Sequence, residues 1–207
     1  MMNFQASAIL FDLDGTLVDS TVSVIHHWQL FAERHGLELQ DILAISHGRR
    51  TEETIRMLAP HLDAVAEAAR HNLAETEETE GTREVPGAGA LLASIPAERW
   101  TIVTSCPRPL AEARLRAAGL PVPERMVTSE EVTAGKPAPE CYLLGAERLG
   151  FAAERCIVFE DAPAGVAAGR AAGMAVVTVG ETVADLRAVR VHGEGNSELK
   201  IVIHSAV

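Results

Sequence analysis

The sequence is short of sulfur, of aromatic rings and of positive charge. Its three cysteines, Cys106, Cys141 and Cys156, are odd in number and show no C-x-x-C spacing. A disulfide framework or structural zinc site is therefore not expected, and a reducing cytoplasm is the better setting. Lysine and arginine total 18 against 29 acidic residues, a formal net charge of −11. That balance repels a nucleic-acid backbone or an anionic membrane at long range, so neither is an expected partner. Any phosphate must then be held by local groups. No apolar run approaches membrane-spanning length, and the first residues lack the basic and apolar regions of a signal peptide. The expectation is a soluble, cytoplasmic protein. Aromatic residues are only 4% of the chain.

Hydrophobic residues make up 47% of 207 positions, with Ala, Val and Leu dominant. This suits a helix-and-sheet globule, either one domain with an insertion or two small domains, and argues against disorder. Short apolar runs recur at Ala8–Phe11, Trp100–Val103, Arg125–Val127, Cys156–Phe159 and Ala175–Val179. Between them lie helical patterns, Pro109–Ala118, Pro139–Leu149 and Pro163–Ala172, each followed by glycine. Proline near the start and glycine past the end punctuate helices. Unbroken apolar strands alternating with helices predict an α/β fold, a doubly wound and mostly parallel Rossmann-like sheet covered on both faces.

From about Ser20 to Arg83 the rhythm changes to helices alone. Val24, Trp28 and Phe31 share one helix face, Gly36 is the expected stop, and Thr51–Leu58 and Asp63–Glu75 read as further helices. The expected organisation is an α/β core over residues 1–18 and 84–207 with a small helical cap over 19–83. The acidic run Glu75–Glu80 reads as a solvated helix face. The tail reads as a hairpin, Ala188–His192 and Leu199–His204 around a Gly193–Asn196 turn. GAGALL at Gly87–Leu92 mimics part of a dinucleotide fingerprint but lacks its third glycine, so it reads as a helix start.

In an open parallel sheet, ligands gather beyond the carboxyl ends of the strands. The residues found there are Asp12-Leu13-Asp14-Gly15-Thr16, Thr104-Ser105, Gly135-Lys136-Pro137 and Glu160-Asp161. Asp12 and Asp14 alternate to the same side of an extended chain. With Glu160 and Asp161 they crowd one site, and like charges so close call for a cation. An oxygen-only set suits a hard ion, with Mg²⁺ the usual choice beside phosphate. Lys136 adds a fixed positive charge, and the amides near Gly15, Thr16 and Ser105 can form an anion-binding concavity. Gly135-Lys136 is not a P-loop, since Pro137 replaces the needed Ser or Thr.

These motifs, Asp12-x-Asp14-Gly15-Thr16, Thr104, Lys136 in GKPAPE and Glu160-Asp161 in FEDAPAGVAAG, resemble the four motifs of the haloacid dehalogenase-like (HAD) phosphohydrolases. The insertion resembles the helical cap of the group containing phosphoglycolate phosphatases and β-phosphoglucomutases. HGRRT (His47–Thr51), VPGA, VTS and FEDAPAG are similar to sugar-phosphate, hexitol and glycerol-phosphate phosphatases. The resemblance implies a phosphatase for small phosphorylated sugars or polyols. It makes Asp12 the nucleophile, Asp14 the general acid/base, and Thr104 and Lys136 phosphate holders. Mg²⁺ would sit on Asp12, the Asp14 carbonyl and Asp161, with Glu160 direct or through water.

His47, Arg49 and Arg50, on a cap loop, are specificity candidates. His26, His27, His35, His61 and His71 read as solvated or packed residues of cap helices. Cys106 stands where many relatives carry glycine; a small buried side chain is the preferred reading, an oxidation-sensitive thiol the other. A phosphosugar mutase is the runner-up function, yet relatives of that kind carry a histidine twelve residues after the nucleophile, where this chain has Val24. Dehalogenation is disfavoured by Asp14, and a non-catalytic receiver-like module would need neither Asp14 nor a cap. Nothing in the pattern marks an extra interface, so a monomer is the default.

Overall fold

The computed structural model describes residues 1–194 and 198–204. In chain order the elements are β1 (Met2–Ala6), β2 (Ala8–Phe11), β3 (Val18–Asp19), α1 (Thr21–His35), α2 (Leu39–Ser46), α3 (Thr51–Leu58) and α4 (Ala64–Glu77). There follow β4 (Arg83–Glu84), α5 (Ala88–Ala93), β5 (Trp100–Ile102), α6 (Arg108–Ala117), α7 (Glu140–Leu149), β6 (Cys156–Glu160), α8 (Pro163–Ala171), β7 (Ala175–Thr178), β8 (Val189–Glu194) and β9 (Glu198–Ile203).

The central sheet runs β5-β2-β6-β7, all parallel. Alternation along β2 sends Ile9 and Phe11 to one face and Ala8 and Leu10 to the other, each fully buried. Phe11 meets Phe159 of β6 at 5.2 Å between ring centroids on the first face. Helix α7 closes the second face with Tyr142, Ala146 and Leu149. The doubly wound α/β architecture follows from strands that are apolar on both sides.

The strand expected over Arg125–Val127 contracts to a single parallel bridge, Val103↔Val127. Pro121 and Pro123, which lack amide donors, precede it, and Met126 N bonds back to Pro123 O in a turn. Helix ends follow the predicted punctuation. Gly36, Gly150 and Gly173 adopt positive φ of 65°, 78° and 78° just past α1, α7 and α8.

A second, antiparallel sheet is ordered β1-β9-β8. It contains the predicted tail hairpin, but β1 joins it as an unforeseen third strand with Met2 opposite Ile203. Of the predicted turn, Gly195 and Asn196 lie outside the described residues. GAGALL opens α5 as expected.

Helices α1–α4 close around their own apolar cluster, including Trp28, Phe31, Ile42 and Ile55. Helix α2 is an addition to the three helices predicted here, and His61 lies in the turn between α3 and α4 rather than on a helix. The two chain passages joining this layer to the sheet are themselves paired. β3 and β4 run antiparallel with Val18 opposite Glu84 and Asp19 opposite Arg83. Arg83 also donates to Asp19 Oδ2 through Nε at 3.1 Å and Nη2 at 2.9 Å.

Candidate active site

The parallel sheet delivers Asp12 from the end of β2 and Glu160-Asp161 from the end of β6, adjacent strands in register. Lys136 arrives from the loop before α7 and is 1% exposed. Its Nζ donates to Asp12 Oδ1 at 2.5 Å, to Glu160 Oε1 at 2.8 Å and to Val103 O at 3.2 Å. Burial disfavours the ammonium charge, but Asp12 and Glu160 outweigh it and hold the Lys136 pKa well above its ordinary value. Burial pushes the Asp12 carboxyl up, a tendency Lys136 opposes and Glu160 and Asp161 reinforce.

Oxygen atoms of Asp12, Glu160 and Asp161 lie within 4.8 Å of one another. Three carboxylates facing one ammonium leave negative charge in a buried place, and all the donors are oxygens. A hard divalent cation such as Mg²⁺ fits that set. Glu160 is fully buried and well occupied. Oε1 accepts from Lys136 and from Tyr142 Oη at 3.2 Å, and Oε2 accepts from Ala162 N at 2.7 Å. Those contacts suit Glu160 to anchoring Lys136, with any role toward a cation through water. Asp161 is held by Thr16 Oγ at 3.0 Å. A cation on Asp161 would compete with His47, whose Nε2 donates to Asp161 Oδ2 at 2.7 Å. That hydrogen bond raises the His47 pKa above its ordinary value.

Asp14 also faces the space above Asp12. Its Oδ1 accepts from Ser20 Oγ at 2.7 Å, and its Oδ2 accepts from Arg114 Nη1 at 2.8 Å and from the Cys106 thiol at 3.1 Å. Burial and the neighbouring Asp14 push the Cys106 pKa well up, so the thiol keeps its proton and donates. That protonated state is a poor starting point for oxidation, which favours the small-side-chain reading of Cys106.

A cavity of about 340 Å³ connects these groups. Asp12, Asp14, Thr104 and Asp161 form its polar floor, while Val24, Ile25, Trp28 and Leu43 from the helical layer roof it. Thr104 Oγ accepts from Cys106 N at 3.1 Å, which leaves its own hydrogen free to be donated toward an anion.

Of the other expected site residues, Gly15 and Ser105 also line the cavity. Gly15 N donates to Val18 O at 2.7 Å and Thr16 N to Leu13 O at 3.3 Å, so these amides close the loop instead of facing an anion. Ser105 Oγ donates to Gly48 O at 2.9 Å, joining sheet loop to cap loop. His47 and Arg49 line the cavity. Arg50 is turned to the sheet domain, where Nη2 donates to Val132 O at 2.7 Å and Nη1 to Thr133 O at 3.2 Å. Glu75 corrects the reading of Glu75–Glu80 as solvated. It is buried and accepts from Arg114 Nη2 at 2.8 Å, while Glu77, Glu78 and Glu80 are exposed.

A family model of haloacid dehalogenase-like hydrolases matches residues 6–173, the span that carries every motif above. The chain belongs to that family. Among relatives of this haloacid dehalogenase-like hydrolase, hexitol phosphatase A of Escherichia coli (strain K12) is 48% identical over 183 residues, covering 84% of this chain and 83% of that protein. Glycerol-1-phosphate phosphohydrolase 2 of Saccharomyces cerevisiae is 34% identical over 194 residues, covering 87% and 77%. A crystal structure of a hydrolase from Pseudomonas syringae superimposes with a TM-score of 0.72 at 26% identity, over 84% of this chain and 83% of that one.

Within this haloacid dehalogenase-like hydrolase, sequence reasoning passes over Arg114, Glu75 and Tyr142. A signal for the first two existed. Arg114 sits with Leu110, Ala111 and Leu115 on the buried stripe of α6, and Glu75 with Ala64, Ala68 and His71 on that of α4. A charge inside an apolar stripe needs a partner.

Proposed function

We propose that the protein is a Mg²⁺-dependent phosphoric monoester hydrolase that acts on small phosphorylated sugars or polyols, such as hexose, hexitol or glycerol phosphates, through an aspartyl-phosphate. The observation that carries this reading is the convergence of Asp12, Lys136, Glu160 and Asp161 at one sheet edge, with Asp14 facing the same cavity. The relatives' names supply the substrate class. The helical insertion, taken as residues 19–83, closes over the substrate.

The family resemblance supplies the roles, and the placement of the residues supports them. Asp12 attacks phosphorus through a carboxylate oxygen, a P–O bond to Asp12 forms, and the ester P–O bond breaks. Asp14 gives its proton to the departing alkoxide. Water then attacks the aspartyl-phosphate and loses a proton to Asp14, which releases inorganic phosphate and restores Asp12. Thr104 donates to a phosphoryl oxygen. Lys136 restrains Asp12 and faces the developing charge, with Glu160 and Tyr142 fixing the lysine. A Mg²⁺ ion held by Asp12, the Asp14 carbonyl and Asp161 would supply charge neutralisation for the incoming phosphate.

Val24, at the position where mutase relatives carry histidine, lines the cavity and cannot relay a proton to an acceptor sugar. That favours transfer to water. Phosphate release from a panel of hexose, hexitol, pentose and glycerol phosphates with Mg²⁺ tests the proposal, with Asp12→Asn expected to abolish turnover. Near-normal turnover by Asp12→Asn, or interconversion of phosphosugars faster than phosphate release, would overturn it.

A further inference from the structure

The reaction needs Asp14 aimed at the ester oxygen, and the groups behind that carboxylate come from two layers of the fold. Resting on the hydrolase reading above, we infer that Arg114 is a positioning residue for Asp14, and that Glu75 of the helical layer holds Arg114 in place. The aim of the proton donor then depends on where the helical layer sits.

The three side chains form a ladder. Asp14 Oδ2 accepts from Arg114 Nη1, and Glu75 Oε1 accepts from Arg114 Nη2, both at 2.8 Å. The side chains of Arg114 and Glu75 are 4% and 5% exposed, whereas Asp14 is 25% exposed toward the cavity. The buried members thus stand behind the open one. A guanidinium is a flat, rigid fork, so a carboxylate fixed on one prong sets the direction of the other. Nη1 also donates to Cys106 Sγ at 3.0 Å, so the bonds Arg114 makes here run to Asp14, Cys106 and Glu75. Ser20 Oγ on Oδ1 completes the hold on Asp14 at 2.7 Å.

The ladder also joins the layers at a useful place. Arg114 belongs to α6, beside the sheet, and Glu75 lies on α4, close to its end and eight residues before β4. Outward movement of α4 would take Glu75 from Arg114 and loosen the fork. With the helical layer seated as it is here, Asp14 is held from both sides.

Loss of aim should matter most when the leaving group needs a proton. An alkoxide from a hexitol phosphate needs one badly, and p-nitrophenolate hardly at all. The test compares Arg114→Lys and the charge-balanced double variant Arg114→Met/Glu75→Gln, which avoids stranding a buried carboxylate. Both are assayed in the full chain with Mg²⁺ on a hexitol phosphate and on p-nitrophenyl phosphate. The expected result is a fall in kcat/KM, which reads the steps up to departure of the alcohol, of about 10- to 100-fold on the hexitol phosphate, with a far smaller fall on p-nitrophenyl phosphate. Equal losses of kcat/KM on the two substrates would overturn the inference. Asp14→Asn serves as the reference. If it shows the leaving-group selectivity and the Arg114 variants do not, the positioning role fails while the hydrolase reading stands. If Asp14→Asn lacks it, Asp14 is not the proton donor and the underlying reading fails.

Discussion

A Cβ placed on Gly165 would stand 1.5 Å from Glu160 Oε1, the oxygen that accepts from Lys136. Helix α8 therefore approaches the carboxylate so closely that only glycine fits. Gly165→Ala should push Glu160 aside, free Lys136 from one of its anchors and overpack the strand end. The expected outcome is at least a ten-fold loss of kcat and about 1–3 kcal/mol of stability, read by steady-state kinetics and urea unfolding. Wild-type kinetics in a folded variant would show that Glu160 does not need this fit.

The carboxylate cluster predicts the response to metal. Chelation should abolish phosphate release and added Mg²⁺ should restore it. Mg²⁺ should also raise the thermal midpoint, because a ligand at 100 times its Kd stabilises by about 2.7 kcal/mol. Asp161→Asn should blunt that thermal shift. A midpoint indifferent to Mg²⁺ in the parent protein would count against a cation at Asp12 and Asp161.

His71 predicts the response to acid. It is buried against Trp28, 4.2 Å between ring centroids. Burial, helped by nearby His27, Arg114 and Arg34, pushes its pKa down to about 3. The 3.7 Å approach of its Nε2 to Glu75 is therefore no ion pair at neutral pH. An unfolded chain protonates this histidine near pH 6.5, whereas the folded chain does so only near 3, so the unfolded state binds the extra proton in between. Stability should fall as pH drops from about 6.5 toward 3, by up to about 1.4 kcal/mol per pH unit from this group. Urea midpoints at pH 7 and 5 should separate less in His71→Gln than in the parent. An equal separation would mean that other groups carry the acid response.

Arg50 predicts a contribution to closure that is separate from chemistry. Its bonds to the Val132 and Thr133 carbonyls tie the HGRRT loop to the segment just before Lys136. Arg50→Ala should lower kcat/KM by about ten-fold, the scale of a lost charged hydrogen bond, and speed amide exchange around residues 132–134. Unchanged kinetics would leave the tie without a function.

How much of this was legible in the sequence depended on the range of the interactions. β2 and β6 could be read because both faces are buried and their runs are unbroken, and the acids that follow mark their carboxyl ends. β1 could not, since Asn3 and Gln5 break the apolar run of MNFQA, most of it is not buried, and its partner β9 lies about 200 residues away. The segment at 125–127 has strand composition, but the prolines before it limit pairing to one bridge. In the site, Asp12, Asp14, Glu160 and Asp161 stood out because they follow strand ends, and Lys136 through its GKPAPE motif, although the strand expected before it is a single bridge. Arg114 and Glu75 act from helix faces in different layers, where only the packing of α4 on α6 makes them neighbours. Arg50 shows the converse: the loop was found, but the direction of one side chain within it was not readable.

The pairing of β3 with β4 has a mechanical meaning. Two extended segments laced together by backbone bonds and by Asp19–Arg83 make a flat strap, which flexes across its width far more readily than it wrings. Such a strap would return whatever the helical layer carries on its inner surface, His47 and Glu75 included, along one arc. Registration of the helical insertion with the sheet edge would then rest on this paired strap.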